Sequence, residues 1–272
     1  MRILKKVAFK NTIFFSIILI IITVGLTSIP LNFLLSDFLD KQSINYIAGI
    51  LEQTVVSLLL ILMLKKFQLL HAAGFSNIRQ WKDLWIVWPI VIFFLLNASD
   101  FFSGTLKINM AKPWILILYI LVYTTTGLFE ETLCRGVILT LFLQKWGRTK
   151  RGCFFALLLS SIIFGFTHII HYFLHDASLL ATLTQMTYAT FIGILFGALV
   201  LRNRSIFPAI FLHALFDITG SLNEISVTGG MKKIYLTITP MNAIISILIM
   251  LPLALYGLFL FRKVSPAESS LK

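Results

Sequence analysis

Eight apolar runs divide the sequence, at 12–35, 44–64, 84–103, 113–143, 153–173, 178–201, 206–222 and 240–261. About 20 apolar residues cross the hydrocarbon core of a bilayer. Inside it, every backbone N–H and C=O must find a partner within the protein, which restricts runs of this length to helices. The expected fold class is therefore all-α: a polytopic membrane helix bundle of about eight transmembrane helices, forming a single integral membrane domain over 1–272. Composition agrees. The chain is 58% hydrophobic and 12% charged, where soluble domains carry about 25% charged residues. The basic N-terminus followed by an apolar run has the outline of a signal peptide. No small-x-small cleavage site precedes Pro30, so it is read as a retained first helix. Pro89 and Pro252 are expected near run ends, where a helix tolerates them.

A net charge of +12 invites a nucleic-acid reading, and the distribution of the cations rejects it. Seventeen of the 23 Lys and Arg fall in the N-terminus, the second, fourth and sixth inter-run loops and the C-terminal tail; five fall in the alternate loops, and Arg135 lies inside a run. This is the positive-inside pattern. It supports eight helices with both termini cytoplasmic, and a bacterial plasma membrane is the expected location. Cys134 and Cys153 make no disulfide framework and no Cys-x-x-Cys zinc pair. Residues 65–85 read as a short amphipathic interfacial piece, with Trp81, Trp85 and Trp88 as an aromatic belt.

Polar chemistry concentrates in 113–222. Of the eleven acids, only Glu52, Glu130, Glu131 and Asp217 fall well inside the runs. Glu52 stands alone and reads as a helix-packing or interfacial residue. The stretch LFEETLCRGVIL holds the other extreme: Glu131 and Arg135 are i, i+4 and share a helix face, while Glu130 is rotated by about 100° from Glu131. Glu131 can be held ionised by Arg135 while Glu130 points into a cavity as a candidate general base. The plain alternative is a packing ion pair with a spare Glu. In FGFTHIIHYFLHD, Phe164 and His168 are i, i+4, and His168, His171 and His175 fall on one face. His171 and His175 read as interfacial; a three-histidine metal site is the sharper alternative. In FLHALFDITG, His213 and Asp217 are again i, i+4, so Asp217 can orient the imidazole.

Glu-Glu-x3-Arg, Phe-x3-His and His-x3-Asp, in this order on transmembrane helices, closely resemble the CAAX-processing and bacteriocin-processing (CPBP, or Abi) family of intramembrane proteases, which includes the type II CAAX prenyl endopeptidases. The resemblance covers about 113–222, the expected catalytic core. It implies an intramembrane endopeptidase acting on a membrane-associated peptide or a lipidated protein. Glu130 would activate water with help from His168, His213 and Asp217 would bind the developing oxyanion, and Glu131, Arg135 and Phe164 would support the site. Position 217 departs from the family pattern, where Asn is frequent. An Asn donates a hydrogen bond, whereas an ionised Asp does not.

Glu130, His168 and His213 can supply three zinc ligands with one position left for water. The helix-borne His-Glu-x-x-His signature is absent, so a metal-free mechanism is preferred and no cofactor is expected. A proton-coupled transporter would also use intramembrane Glu, Arg and His, but no inverted repeat relates the two halves. A non-catalytic bacteriocin self-immunity protein is the other alternative. One geometric tension stands out. By straight counting, Glu130 lies toward the cytoplasmic end of run 113–143 and His168 toward the outer end of its own. Run 113–143 is also too long for one straight crossing, so it is expected to be broken, tilted or differently bounded.

Overall fold

The computed structural model describes residues 2–29, 39–76, 87–174, 177–227 and 238–266. Helix α1 (Arg2–Lys10) turns by 115° into α2 (Thr12–Leu26). There follow α3 (Lys41–Phe67), α4 (Trp88–Asn97) and α5 (Ser99–Phe102). Helix α6 (Pro113–Glu131) continues through a π-helical segment (Thr132–Leu139) into α7 (Thr140–Trp146). The remaining helices are α8 (Lys150–Thr167), α9 (Ile170–Leu174), α10 (Leu179–Asn203), α11 (Phe207–Gly220) and α12 (Pro240–Phe261). A 3-10 turn, Leu222–Ile225, follows α11. Among the described residues the only β-type pairing is an isolated bridge between Ile108 and Ser226. Residues 30–35 of the first expected run, 77–85 of the interfacial piece (with Trp81 and Trp85), 84–86 at the start of the third run, and His175 lie outside the described residues.

Each of the eight apolar runs contains a helix, but they are not equal. Among the described residues, five segments are long and apolar enough to cross a membrane: Lys41–Phe67, Pro113–Trp146, Lys150–Leu174, Leu179–Asn203 and Pro240–Phe261. The bent α1–α2 pair makes a sixth if it counts as one span. Helices α4 and α11 are apolar but short. At 14 residues, α11 covers about 21 Å, less than the hydrocarbon core. It begins within the bundle, where Ile206 N donates to Gly74 O at 3.4 Å. Hydropathy counts apolar residues facing protein and lipid alike, so it could not separate this helix from a full span.

The helix ends follow local chemistry. Asp40 caps α3 by accepting from Ser43 N at 3.2 Å, and Thr149, Ser178 and Thr239 cap α8, α10 and α12 in the same way. Such a cap satisfies an N–H that would otherwise lack an intrahelical partner. Prolines occupy the first turn of α4, α6, α11 and α12, where their missing N–H costs nothing. Pro89 is one of these, as expected. Pro252 is not at a helix end; it lies inside α12. Membrane helices accept this because neighbouring groups and local adjustment satisfy the freed carbonyl.

Helix α10 is the most buried span and packs against α8 and α12. Close approach needs small residues at the contact: a Cβ on Gly257 would stand 2.7 Å from Leu195 Cα. The outward faces carry large apolar residues, among them Ile13, Phe14, Ile17 and Ile21 of α2, Leu58 and Leu62 of α3, and Ile244, Leu248 and Leu255 of α12. In water such a continuous surface would drive association; in lipid it is the solvated face.

Candidate active site

The Glu-Glu pair sits at the end of α6, where the α-helix gives way to the π segment. All eight π residues, Thr132–Leu139, are buried. A π turn widens the helix and shifts its register, and such segments occur often at functional sites. Here Thr140 Oγ1 donates to Arg135 O, five residues back, at 3.2 Å. The ion pair expected from i, i+4 spacing survives this widening: Arg135 Nη1 donates to Glu131 Oε1 at 2.8 Å, with both side chains almost wholly buried. Arg135 also reaches Gly193 O on α10 at 3.3 Å and lies over the Phe164 ring at 4.4 Å. A guanidinium is suited to such a site, because its planar fork bonds and its face stacks.

Glu130 and Glu131 do divide their surroundings. Glu131 is fully buried, whereas the Glu130 side chain is 27% accessible. Glu131 Oε1 has a second partner that the sequence did not disclose: His213 Nδ1 lies 2.7 Å away. A carboxylate only accepts, so the proton of this bond belongs to Nδ1. The other nitrogen, Nε2, faces Glu130 Oε2 at 3.5 Å and Asp217 Oδ2 at 3.6 Å. The imidazole is therefore held by Glu131, while Asp217 flanks its far side. The possibility that Asp217 orients His213 through a direct hydrogen bond is replaced by Glu131, whose approach depends on tertiary packing. Gly127, one turn before Glu130, lets α11 come close: a Cβ there would stand 2.9 Å from Ile210 O and 3.0 Å from Ala214 N.

Phe164 sits at the centre of the cluster. Its ring meets His168 edge-on at 5.3 Å and His213 at 5.8 Å, besides carrying Arg135. Phe196 on α10 completes the packing, 5.5 Å from His213 and 5.9 Å from the Arg135 guanidinium. His168 follows α8 as its C-cap, with Nδ1 3.2 Å from Phe164 O. Helix α8 ends at Thr167 and α9 starts at Ile170, yet His168 and His171 still stand side by side, with ring centroids 5.7 Å apart.

A cavity of about 260 Å³ is lined by Val24, Thr27 and Ser28 of the α2 end, Gln53 of α3, Phe129 to Cys134 in part, and Phe164 to His171 in part. Glu130 and His168 both line it. Their apparent separation by depth dissolves when both are counted from the turn that joins their helices, Gly147–Thr149, from which they lie at similar distances along antiparallel rods. The extra length of the 34-residue Pro113–Trp146 rod extends the other way. His171 joins the lining and its ring lies 5.7 Å from that of His168. His213 and Asp217 are not among the lining residues, but His213 Nε2 lies beside the Glu130 carboxylate that lines the cavity, 3.5 Å from its Oε2.

Two residues of this site carried no sequence signal. Gln53 joins α3 to α6, accepting from Thr125 Oγ1 at 2.7 Å and donating to Thr126 Oγ1 at 3.0 Å. An uncharged Gln in an apolar helix shows no periodicity that points to a partner. Glu224, in the 3-10 turn after α11, accepts from Tyr46 at 3.0 Å and Tyr123 at 2.8 Å, and Tyr119 donates to Ile218 O. These bonds tie the end of the helix that carries His213 and Asp217 to α3 and α6. Glu52 is only partly buried on α3 and is not among the cavity residues.

Among the described residues no group of three or more His, Cys, Asp and Glu side chains is arranged to hold a metal ion.

Residues 112–219 match the family model for Rce1-like type II CAAX prenyl endopeptidases. No curated protein and no solved structure matches the chain.

Proposed function

We propose, from the match of residues 112–219 to the Rce1-like type II CAAX prenyl endopeptidase model, that this chain hydrolyses a peptide bond by a glutamate-activated water. The family match over 112–219 supports a protease, and the long apolar helices support an integral membrane one. The observation that most supports the finer reading is the division between the two glutamates: one buried and doubly bonded, the other facing the cavity.

In this reading Glu130 takes a proton from water in the cavity, with His168 across from it placing the water. The hydroxide adds to the peptide carbonyl carbon and the carbonyl oxygen becomes an oxyanion. His213 receives it through Nε2–H. Because Nδ1–H is already given to Glu131, an Nε2 donor means an imidazolium, and the buried Glu131 carboxylate is placed to stabilise that charge. Glu130 then returns its proton to the leaving nitrogen as the C–N bond breaks. Preorganised donors of this kind are commonly the largest catalytic contribution.

The test is cleavage of a panel of membrane-anchored peptides, prenylated and unmodified, by the purified protein in detergent or liposomes. A transporter or an immunity protein would cleave none of them. Zinc is the alternative cofactor, and we propose that the reaction does not need it: a strong chelator should leave activity that added zinc does not increase. About one tightly held zinc per active chain would overturn this part of the proposal.

Asp217 supplies a finer check. As an oxyanion donor it must carry a proton, so its contribution is lost as pH rises through its titration. Asn donates at every pH. Asp217→Asn is therefore expected to retain activity and to extend it to higher pH, while Asp217→Ala should lose about 10²–10³ in kcat, as removal of one oxyanion donor does elsewhere. The measurement is a pair of pH–rate profiles on one peptide. A large loss in Asp217→Asn at every pH would assign Asp217 instead to an ionised partnership with the His213 imidazolium.

A further inference from the structure

Most of the cations that the structure describes lie toward one end of the bundle, with Lys41, Lys107 and Lys112 toward the other and Arg135 buried between. Lys5 donates to Phe67 O at 2.6 Å and Lys150 to Arg262 O at 2.7 Å. These bonds bring the start of the chain, the end of α3, the α7–α8 turn and the end of α12 to a common face. The opposite end carries the Asp40–Lys112 pair at 3.4 Å and the contact of Gln42 with Glu224. The cavity belongs to this second end. Its lining comes from the last turn of α2 (Val24, Thr27, Ser28), the end of α8 and the start of α9 (Thr167, His168, Ile170, His171). At 1.5 Å per residue, Gln53, Glu130 and His168 lie roughly 20–27 Å along their helices from the basic ends. That is beyond the midplane of a core about 30 Å thick.

What lies on either side of Glu130 agrees with this placement. Toward the basic end the rod continues through Leu133, Val137, Ile138, Leu141 and Phe142, each at most 2% exposed and packed on Leu60 and Leu64 of α3. Arg135 and Thr140 of the same stretch are themselves buried, each 2% exposed. Toward the other end the cavity offers Gln53, Thr27, Ser28, Thr167 and His171, which can hydrate a path to the surface.

We infer that the cavity opens to the face opposite the basic loops. Under the positive-inside rule that is the non-cytoplasmic face, so the substrate is a peptide segment presented from the outer leaflet or just outside it, rather than the C-terminus of a cytoplasmic lipidated protein. The substrate half of this inference rests on the protease reading above; the sidedness does not.

The probe is a membrane-impermeant sulfonated maleimide applied to membrane vesicles of known orientation. Ser28→Cys exchanges an exposed hydroxyl at the cavity rim for a thiol, Thr27→Cys is its neighbour, and Arg148→Cys marks the basic face. Wild type reports the background from buried Cys134 and Cys153. In right-side-out vesicles Ser28→Cys or Thr27→Cys should label, and Arg148→Cys should label only after permeabilisation. The reverse pattern, or equal labelling at both faces, would overturn the sidedness. The bulky adduct at Ser28 should also abolish peptide cleavage; full activity of the labelled protein would overturn this route for the substrate. If labelling follows expectation but the unlabelled protein cleaves no peptide, the protease reading fails and the sidedness stands.

Discussion

Glu130→Gln is expected to leave a folded, well-expressed protein that no longer cleaves peptide. The substitution is nearly isosteric, keeps an oxygen acceptor facing His213, and removes a charge that the cavity only partly hydrates. The Glu130 side chain is 27% accessible and lines the cavity beside His168, so no packing depends on its ionised form. A positioned general base contributes roughly 10²–10⁴ in rate, and here it is also the group that returns the proton to the leaving nitrogen. Turnover in the purified Gln variant should therefore fall by at least about 10², with an unchanged melting temperature in detergent. Wild-type turnover in that variant would remove Glu130 from the mechanism.

Arg135→Ala is expected to act on the fold rather than on a single step. It removes the 2.8 Å partner of a fully buried carboxylate, the bond to Gly193 O on α10 and the cation over Phe164. Breaking one side of a buried pair commonly costs about 3–5 kcal/mol, because the remaining charge is left uncompensated. Glu131 would keep the His213 Nδ1 bond at 2.7 Å, but among the described residues its Oε2 has no hydrogen-bond partner. The measurement is expression level and melting temperature in detergent. Arg135→Lys should recover part of the loss, since it keeps the charge but gives up the planar fork and the stacking. An Arg135→Ala protein that is fully stable yet inactive would instead give Arg135 a direct place in catalysis.

Both substitutions were legible as targets before any coordinates, and the reason is local. On a helix, side chains four residues apart meet whatever the rest of the chain does. Glu131–Arg135, Phe164–His168 and His213–Asp217 are therefore written in the spacing, as is the rotation that separates Glu130 from Glu131. The restriction to helices follows equally from the bilayer, which leaves long apolar runs no other satisfied backbone. Spacing does not record which helices come together. The bond from His213 to Glu131 depends on Gly127 letting two backbones approach. The Thr125–Gln53–Thr126 link and the Tyr46–Glu224–Tyr123 link join residues far apart in sequence through uncharged or unpatterned side chains.

The π segment also escaped the sequence, because its residues Thr132–Leu139 are buried all round and show no stripe from which a widened turn could be read. Depth escaped for a related reason. A run of apolar residues states that a segment can cross the membrane, not where along it the crossing is centred, so Glu130 and His168 could be aligned only once the turn joining their helices was in place. What the chain determined by itself is a membrane bundle bearing three local polar pairs. The tertiary structure decided which pair member faces the cavity, which supports it from behind, and toward which end that cavity opens, because each of these depends on contacts between helices rather than along them.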